Sequence, residues 1–327
     1  MDRVARKVVP GVPLSRVYSA LRSGEIRLNG KRVKGDARVS AGDSLDAKEW
    51  LVSSVNRSPL PAPAEITSGA PSPSRDRTVP QRPLDGRIVF ESPHIIVISK
   101  LRGEVVHGPD SLETLVRAHL LPSAAAGVSF APGPVHRLDR NTTGLVVYSA
   151  SLRGAQEMSK ALRGHRVRKL YAAVLSGEVA AEERWDSRIR RDDVTRKSGV
   201  ATQGSSDTQP GRSAGGGQEA LTLVTPVAVA DGASLVVARI VTGRTHQIRA
   251  HATANGTPLY GDRKYGGPAF PGGYILHAGA LAITTPSKEI DFGHLWTPLP
   301  AVAEGRVERL FGKSALNQLY EVFSVGR

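Results

Sequence analysis

A proline-rich stretch near the front of the chain constrains its folding more than any other feature. Residues 51–86 contain no aromatic side chain, and their prolines are Pro59, Pro61, Pro63, Pro71, Pro73, Pro80 and Pro83. Because proline lacks an amide donor and cannot continue a helix, this spacing predicts a semi-rigid linker. The chain is thereby divided into a small module at 1–50, the linker at 51–86, a large domain at 87–312 and a C-terminal tail at 313–327.

The charge of the chain indicates the kind of partner it binds. Its 327 residues include 44 Lys and Arg against 30 Asp and Glu, which gives a net charge of +14. Such a balance favours a polyanionic partner, with nucleic acid ahead of an acidic membrane surface. No run approaches the roughly 18 apolar residues of a membrane span, and no apolar block follows the basic start as in a signal peptide. We therefore expect a cytoplasmic protein without a membrane partner.

The amino acid composition also excludes several chemistries. The chain contains no cysteine. Disulfides, zinc–thiolate sites, iron–sulfur clusters and thiol catalysis are therefore excluded.

The front module has the pattern of a helix followed by a hairpin. Its apolar residues recur with helical spacing at Leu14, Val17, Tyr18 and Leu21. Pro13 precedes this segment and Gly24 ends it, and Asn29-Gly30 is a strong signal for a hairpin turn. The module carries a net charge of +5. Charge alone leaves two interpretations open, a surface that faces phosphates and the solvated face of an ordinary small domain.

The same residues resemble a known RNA-binding module. Arg16 on the predicted helix, residues 22–33 in the hairpin and the Gly42-Asp43 turn are similar to the pattern of S4 RNA-binding domains. The resemblance implies a small α/β domain that contacts RNA phosphates. The basic residues implied in these contacts are Arg16, Arg22, Arg27, Lys31 and Arg32.

Strand-like segments outnumber helical ones in the large domain. The β-branched runs are residues 88–90, 95–98, 145–148, 171–175 and 235–241. A helix is predicted from Ser151, where apolar residues recur every three or four positions. The pattern predicts an α+β domain built on a mixed, mostly antiparallel sheet. A Gly- and Ser-rich segment at 199–217 predicts a flexible loop within it.

A short polar turn between two apolar runs carries the most informative residues of this domain. Asp139 lies there between Arg137 and Arg140. Nearby positive charge lowers the pKa of a carboxyl group, so Asp139 is expected to be ionised and able to attack an electrophilic carbon. The residues alone favour a simpler interpretation, a surface Asp–Arg pair in a hairpin loop.

Several motifs, in order, are similar to those of the RluA-type pseudouridine synthases. His136-Arg137-Leu138-Asp139 followed by Thr142-Thr143-Gly144 resembles the family signature, and the other matching segments are residues 88–107, 168–174, 242–262 and 276–278. The resemblance implies the pseudouridine synthase fold and the isomerisation of uridine to pseudouridine in structured RNA. The bond from C1′ to N1 breaks, the flipped uracil turns, and C1′ joins C5. Because no redox change occurs and no group is imported, we expect neither cofactor nor metal.

The resemblance also implies roles for individual side chains. Asp139 aligns with the catalytic aspartate, and its attack on the ribose, its deprotonation of the ribose and its addition to the uracil ring all stay open. The fork of Arg249 suits bidentate pairing with Asp139. Tyr171 would stack on the flipped base and Leu276 would form an apolar floor. Arg137 would insert into the vacated stack or hold phosphates.

Two histidines could suggest a metal site, but their spacing does not fit one. His246 and His251 are five residues apart, whereas the paired-histidine zinc motif needs four and a glutamate beside the first. Gln247 occupies that place. We therefore predict packing or RNA contact for both histidines.

The sequence as a whole predicts an RNA pseudouridine synthase, an isomerase that acts as a monomer. Large-subunit rRNA is favoured over tRNA because members of the family with an S4 domain resemble rRNA-modifying enzymes. One alternative is a non-catalytic RNA-binding factor, such as a ribosome assembly factor that keeps the fold. Another is an N-glycosidase, which would release free uracil. The combination of Asp139, Tyr171 and Arg249 favours the isomerase over a non-catalytic RNA-binding factor.

Overall fold

The computed structural model of the chain divides it into two compact units, Met1–Arg75 and Asp76–Arg327. The structure describes residues 20–21, 23–33, 37, 39–40, 42–48, 83–120, 130–191, 197–200 and 217–326. Several predictions therefore lie outside the described residues: the front helix as far as residue 19, Arg16, Arg22, the linker as far as residue 82, and residues 201–216 of the Gly- and Ser-rich loop.

The front unit contains a small antiparallel sheet. Its strands are β1 (Ile26–Leu28), β2 (Lys31–Arg32) and β3 (Leu45–Ala47), in the order β2-β1-β3. Asn29 and Gly30 both have positive φ, at 51° and 73°, as the tight hairpin turn between β1 and β2 requires. Ile26 of β1 is buried in one cluster with Ala20 and Leu21. The hairpin predicted at Asn29-Gly30 is thus present.

The second unit is built on one large, mixed sheet of eleven described strands. These are β4 (Ile88–Glu91), β5 (Ile95–Lys100), β6 (Gly133–Pro134), β7 (Thr143–Ser149), β8 (Val167–Ser176), β9 (Glu183–Arg191), β10 (Ser198–Val200), β11 (Gln218–Ala230), β12 (Ala233–Ile240), β13 (Leu276–Ile283) and β14 (His294–Trp296). The main order is β10-β9-β11-β12-β8-β13-β7-β5-β4, with β14 on β13 and β6 on β7. Among the described strands only β13 and β7 run parallel. The predicted mixed, mostly antiparallel sheet is confirmed.

Four α-helices and one short 3₁₀ turn are described with this sheet. They are α1 (Leu112–Leu120), α2 (Leu152–Arg163), α3 (Gln247–Ala254), the 3₁₀ turn Arg263–Tyr265 and α4 (Ala301–Val325). The helix predicted from Ser151 is α2, and the Ser151 hydroxyl caps it by accepting the amide of Gly154. No helix among the described residues is long and apolar enough to cross a membrane.

The end of the chain belongs to the core, which corrects the predicted tail at 313–327. Helix α4 continues past a kink at Gly312, and its Leu316, Leu319 and Phe323 are buried. Phe323 packs so closely on β13 that a Cβ atom at Gly279 would lie 1.9 Å from its ring. The helical spacing of these apolar residues is typical of a packed helix, and the predicted boundary at 312 did not take it into account.

The alternation of side chains along β8 separates the two faces of the sheet. Leu170, Ala172 and Val174 belong to the cluster that contains the apolar residues of α4. Tyr171 belongs to a different cluster, which includes Ile248 of α3. Because successive residues of a strand point to opposite faces, Tyr171 and α3 share the face opposite α4.

Candidate active site

Asp139 lies in the loop between β6 and β7, with its side chain 17% exposed. The amide of Thr142 donates to the carbonyl of Asp139, which closes the loop into a turn. Strand β7 begins directly after the loop and approaches β13 at Gly144, where φ is 104° and a Cβ atom would lie 2.2 Å from the Ala278 carbonyl oxygen. Glycine at this position therefore lets the two parallel strands meet beside the Asp139 loop.

A buried lysine is hydrogen-bonded to the backbone of the same loop. Lys100 is fully buried, and its Nζ donates to the carbonyl oxygens of Leu101 (3.1 Å), Arg140 (3.0 Å) and Thr142 (2.7 Å). Burial lowers the pKa of Lys100 to about 7, while the charges of Glu104 and Asp139 oppose that shift. The last residue of β5 thus fixes the backbone that follows Asp139.

Arg249 joins Asp139 to a second aspartate. Its Nη1 donates to Asp139 Oδ2 at 3.2 Å, while its Nε and Nη2 donate to the two oxygens of Asp262 at 2.6 and 2.9 Å. The bidentate pairing predicted with Asp139 is therefore wrong, because the fork belongs to Asp262. Burial acts to lower the pKa of Arg249, but the hydrogen bonds and charge of Asp262, together with the charges of Tyr274 and Asp139, raise it overall. The guanidinium stays charged beside Asp139.

Two aromatic rings hold the plane of this guanidinium. Arg249 Cζ lies 4.6 Å from the ring centroid of Tyr265 and 4.8 Å from that of Tyr274. Contacts at this distance attract a cation to the face of the ring. The orientation of Arg249 toward Asp139 is thus fixed by Asp262, Tyr265 and Tyr274.

The two histidines of the α3 segment have different neighbours. His246 precedes α3 with a φ of 56°, and its Nε2 lies 3.7 Å from Asp139 Oδ1. His251 is buried between the hydroxyls of Ser187 and Thr222, each 2.9 Å from a ring nitrogen. Burial lowers the pKa of His246 below 6.5 and that of His251 to about 4. His251 is therefore a packed residue, whereas His246 belongs to the Asp139 site.

The predicted site residues of the second unit line one cavity of about 560 Å³: Arg137, Asp139, Tyr171, Arg249 and Leu276. Tyr171 is 6% exposed, and burial and the nearby Asp139 charge raise the pKa of its hydroxyl. Among the residues that the structure describes, Asp139 is the only carboxylate lining this cavity.

A second cavity meets the first at Asp139. It measures about 770 Å³ and is rich in basic side chains, which are Arg102, Arg137, Arg140, Arg249, Arg263 and Lys264. Because phosphates are the anionic groups of RNA, a basic cavity beside Asp139 suits a nucleic acid strand. Of the residues predicted to contact RNA in the front unit, Arg27, Lys31 and Arg32 are described and exposed.

Comparison with known proteins assigns this geometry to a family. Residues 94–254 match the model of the RNA pseudouridylate synthase family. The chain belongs to this family. It is therefore an isomerase that converts uridine to pseudouridine in RNA.

Curated relatives and a solved structure extend this similarity over most of the chain. Ribosomal large subunit pseudouridine synthase C of Vibrio cholerae is 28% identical over 90% of this chain and 85% of its own length. The protein of the same name from Escherichia coli (strain K12) is 29% identical over 88% and 85%. The structure of Human RNA Pseudouridylate Synthase Domain Containing 1 covers 75% of this chain and 97% of its own, with 22% identity and a TM-score of 0.55. The pseudouridine synthase shares its fold with that human protein.

Sequence reasoning missed several residues of this pseudouridine synthase site. Asp262 lies in the segment 242–262 that resembles the family, but no role was predicted for it, and Tyr265 was not included, although both follow closely after the motif that contains Arg249. Lys169 also lines the cavity, and burial lowers its pKa to about 8. Its position two residues before Tyr171 on one strand places it on the same face, which is the signal that could have identified it.

Proposed function

We propose that this pseudouridine synthase modifies large-subunit ribosomal RNA and that Asp139 is its catalytic carboxylate. One observation carries the assignment: Asp139 is the only carboxylate that the described residues contribute to the cavity containing Tyr171, and it faces a basic cavity on its other side. The names of the two bacterial relatives support large-subunit rRNA as the substrate.

The proposed chemistry needs an ionised Asp139. Arg249 donates a charge-assisted hydrogen bond to one of its carboxylate oxygens. The substrate's C1′–N1 bond breaks and a C1′–C5 bond forms, while C5 loses a proton and N1 gains one, so the product is an isomer of the substrate. The carboxylate acts either on the ribose or on the uracil ring, and each route requires its negative charge.

The same cavity offers surfaces for a flipped nucleotide. We propose that the uracil stacks on Tyr171, with Leu276 as the apolar floor. Stacking of a base on an aromatic side chain contributes about 1–3 kcal/mol. Arg137 is exposed and lines both cavities, so it can fill the vacated position in the RNA stack or hold the neighbouring phosphates.

The front unit supplies additional RNA contacts in this proposal. Arg27 and Arg32 are directly opposite each other across the β1–β2 pair, and Lys31 is next to them. Like charges in this register repel one another, so a polyanion placed against them would be stabilising. We propose an S4-like RNA-binding domain at 1–50, joined by the linker at 51–86 to the catalytic domain of a cytoplasmic monomer.

The substitution Asp139→Asn tests the catalytic assignment. We expect pseudouridine formation to fall at least about 1,000-fold, because the shape persists while the negative charge is lost, and affinity for rRNA to stay within about threefold. Site-resolved pseudouridine mapping of large-subunit rRNA, incubated with the purified full chain, measures the product.

The matched control is Asp231→Asn in the exposed β11–β12 turn, where the positive φ of 49° suits asparagine. Full activity of Asp139→Asn would contradict the catalytic assignment. Release of free uracil would identify an N-glycosidase, and modification confined to another RNA would contradict the substrate.

A further inference from the structure

His246 connects the catalytic carboxylate to a tyrosine hydroxyl. Its Nε2 lies 3.7 Å from Asp139 Oδ1, and its Nδ1 lies 2.8 Å from the hydroxyl oxygen of Tyr265. The imidazole is 16% exposed and lines both cavities that meet at Asp139. Arg249 donates to the other oxygen, Oδ2, so the two carboxylate oxygens have different neighbours.

The hydrogen bonds of Tyr265 determine which nitrogen of His246 carries the proton. The Tyr265 hydroxyl oxygen accepts the amide of Ser198 at 2.8 Å. A backbone N–H can only donate, and among the described residues His246 Nδ1 is the remaining group within hydrogen-bond distance of this hydroxyl, so we assign Nδ1 as the acceptor of the hydroxyl proton. Burial lowers the pKa of His246 below 6.5, and the ring is therefore neutral at pH 7. A neutral imidazole that accepts at Nδ1 carries its proton on Nε2, which faces Asp139.

We propose that Tyr265 is a positioning residue that selects the Nε2–H tautomer of His246, so that His246 gives the Asp139 carboxylate a second donor beside Arg249. This inference rests on the proposed catalytic role of Asp139. The distance of 3.7 Å is longer than a hydrogen bond, and catalytic contacts of this kind often shorten in the complex with substrate. The carboxylate would then be held at both oxygens while it reacts.

The backbone of His246 has a conformation that is uncommon for residues other than glycine. Its φ of 56° lies in the left-handed region, and its side chain makes no capping hydrogen bond to α3. Asparagine also adopts this conformation and is a preferred residue at the start of a helix. An uncommon backbone conformation beside an active site favours a functional role for the residue that adopts it. The imidazole reaches Asp139, which a shorter capping residue would not.

Two substitutions of His246 separate this role from a structural one. Glutamine places its amide donor near the position of Nε2, whereas asparagine places it near Nδ1. If the donor to Asp139 matters, His246→Gln will retain a kcat about tenfold above that of His246→Asn, with KM similar. The backbone preference predicts the opposite order of stability, so thermal unfolding is measured beside kcat. A kcat of His246→Asn equal to or above that of His246→Gln would overturn the proposal.

The tautomer itself can be observed in the free full-length protein. Long-range ¹H–¹⁵N correlation spectra distinguish Nε2–H from Nδ1–H, and the signal of His246 is the one that disappears in His246→Asn. We expect Nε2–H in the wild type and a mixture of both forms in Tyr265→Phe, together with a kcat reduced about tenfold. The matched control is Tyr320→Phe, since the Tyr320 hydroxyl also accepts a backbone amide, that of Leu299, but lines neither cavity.

The outcomes distinguish this inference from the proposed function. An Nδ1–H tautomer in the wild type, or a Tyr265→Phe variant with unchanged tautomer and kcat, overturns the role of Tyr265. If Asp139 is not the catalytic residue, Asp139→Asn will keep full activity. That result would not alter the tautomer observed for His246 in the wild-type protein, so the two assignments are tested separately.

Discussion

At the scale of single residues, one arginine serves two aspartates in different ways. Asp262 binds two nitrogens of Arg249 in a pair with exposed fractions of only 2% and 7%. Asp139 receives a single bond from the same guanidinium. Breaking a buried ion pair leaves an uncompensated charge in a poorly solvated place, which is costly, whereas exposed pairs contribute little. Asp262 therefore supports the orientation of Arg249, and Asp139 stays available to substrate.

Asp262→Asn is expected to destabilise the protein by about 3 kcal/mol, because Arg249 loses its buried counter-ion. The control is Asp186→Asn, which removes the partner of Arg184 from a pair that is more than half exposed and is expected to cost less than about 1 kcal/mol. Urea denaturation measures both. Equal losses of stability in the two variants would show that the buried ion pair stabilises the protein no more than the exposed pair. The rate of isomerisation should fall in Asp262→Asn alone.

At the scale of elements, the junction between β7 and β13 positions the catalytic loop. Gly144 lies at this junction with a φ of 104°, and the Ala278 carbonyl oxygen occupies the space that a side chain would need. The adjacent Thr143 and His277 side chains are hydrogen-bonded at 2.8 Å across the same pair of strands. Any side chain at position 144 must separate the strands and shift the loop that contains Asp139.

Gly144→Ala is expected to cost more than about 2 kcal/mol and to reduce isomerisation strongly, because backbone strain and a steric clash combine. Gly232→Ala is the control. Gly232 also has a positive φ, of 69°, but a Cβ atom there would meet nothing within 4 Å. That variant should lose only about 1 kcal/mol. Thermal unfolding and the pseudouridine assay measure the two effects. Equal stability and equal activity of Gly144→Ala and Gly232→Ala would contradict the expectation.

Contiguous patterns explain which elements were predicted from the sequence. The hairpin at Asn29-Gly30 and the helix from Ser151 depend on neighbours in the chain, and both are present. The pairing of Arg249 with Asp262 could not be derived in this way. Asp139 is 110 residues away from Arg249 and Asp262 only 13, and the packing of α3 decides which carboxylate receives the fork. The packed end of α4 was missed because the predicted domain ended at residue 312, within the helix.

At the scale of the whole molecule, buried neutral histidines make stability depend on pH. His251 and His277 are 1% and 0% exposed, and burial lowers the pKa of each to about 4. An unfolded histidine has a pKa of about 6.5, so the unfolded chain binds more protons between these values. The free energy of unfolding should therefore fall as the pH falls through this window, by about 1 kcal/mol per pH unit for each histidine.

Urea denaturation at several pH values between about 5 and about 7 measures this slope. His277→Gln removes one titrating group, so its slope should be smaller than that of the wild type by about 1 kcal/mol per pH unit, whatever its absolute stability. Parallel slopes for the two proteins would show that folding does not change the protonation of His277.

The net charge of +14 predicts binding that weakens as salt rises, because RNA binding releases counter-ions. Replacing Arg27, Lys31 and Arg32 together by serine should lower the slope of log affinity against log salt by about 0.7 for each RNA phosphate that the hairpin no longer neutralises. Filter binding of rRNA by the full chain at several salt concentrations measures this slope. An unchanged slope would show that the β1–β2 hairpin does not contact phosphates.

The strand order also has a consequence for biosynthesis. Strand β13 lies between β8 and β7, yet it follows both of them in the chain by about a hundred residues or more. While the polypeptide leaves the ribosome, the segments on either side of the gap present unpaired strand edges, which are prone to pair with other chains. Asp139 and Arg249 therefore leave the ribosome before residues 276–283, which are needed to complete the sheet. Slow translation near that point would lengthen the period in which a nascent chain is vulnerable to aggregation.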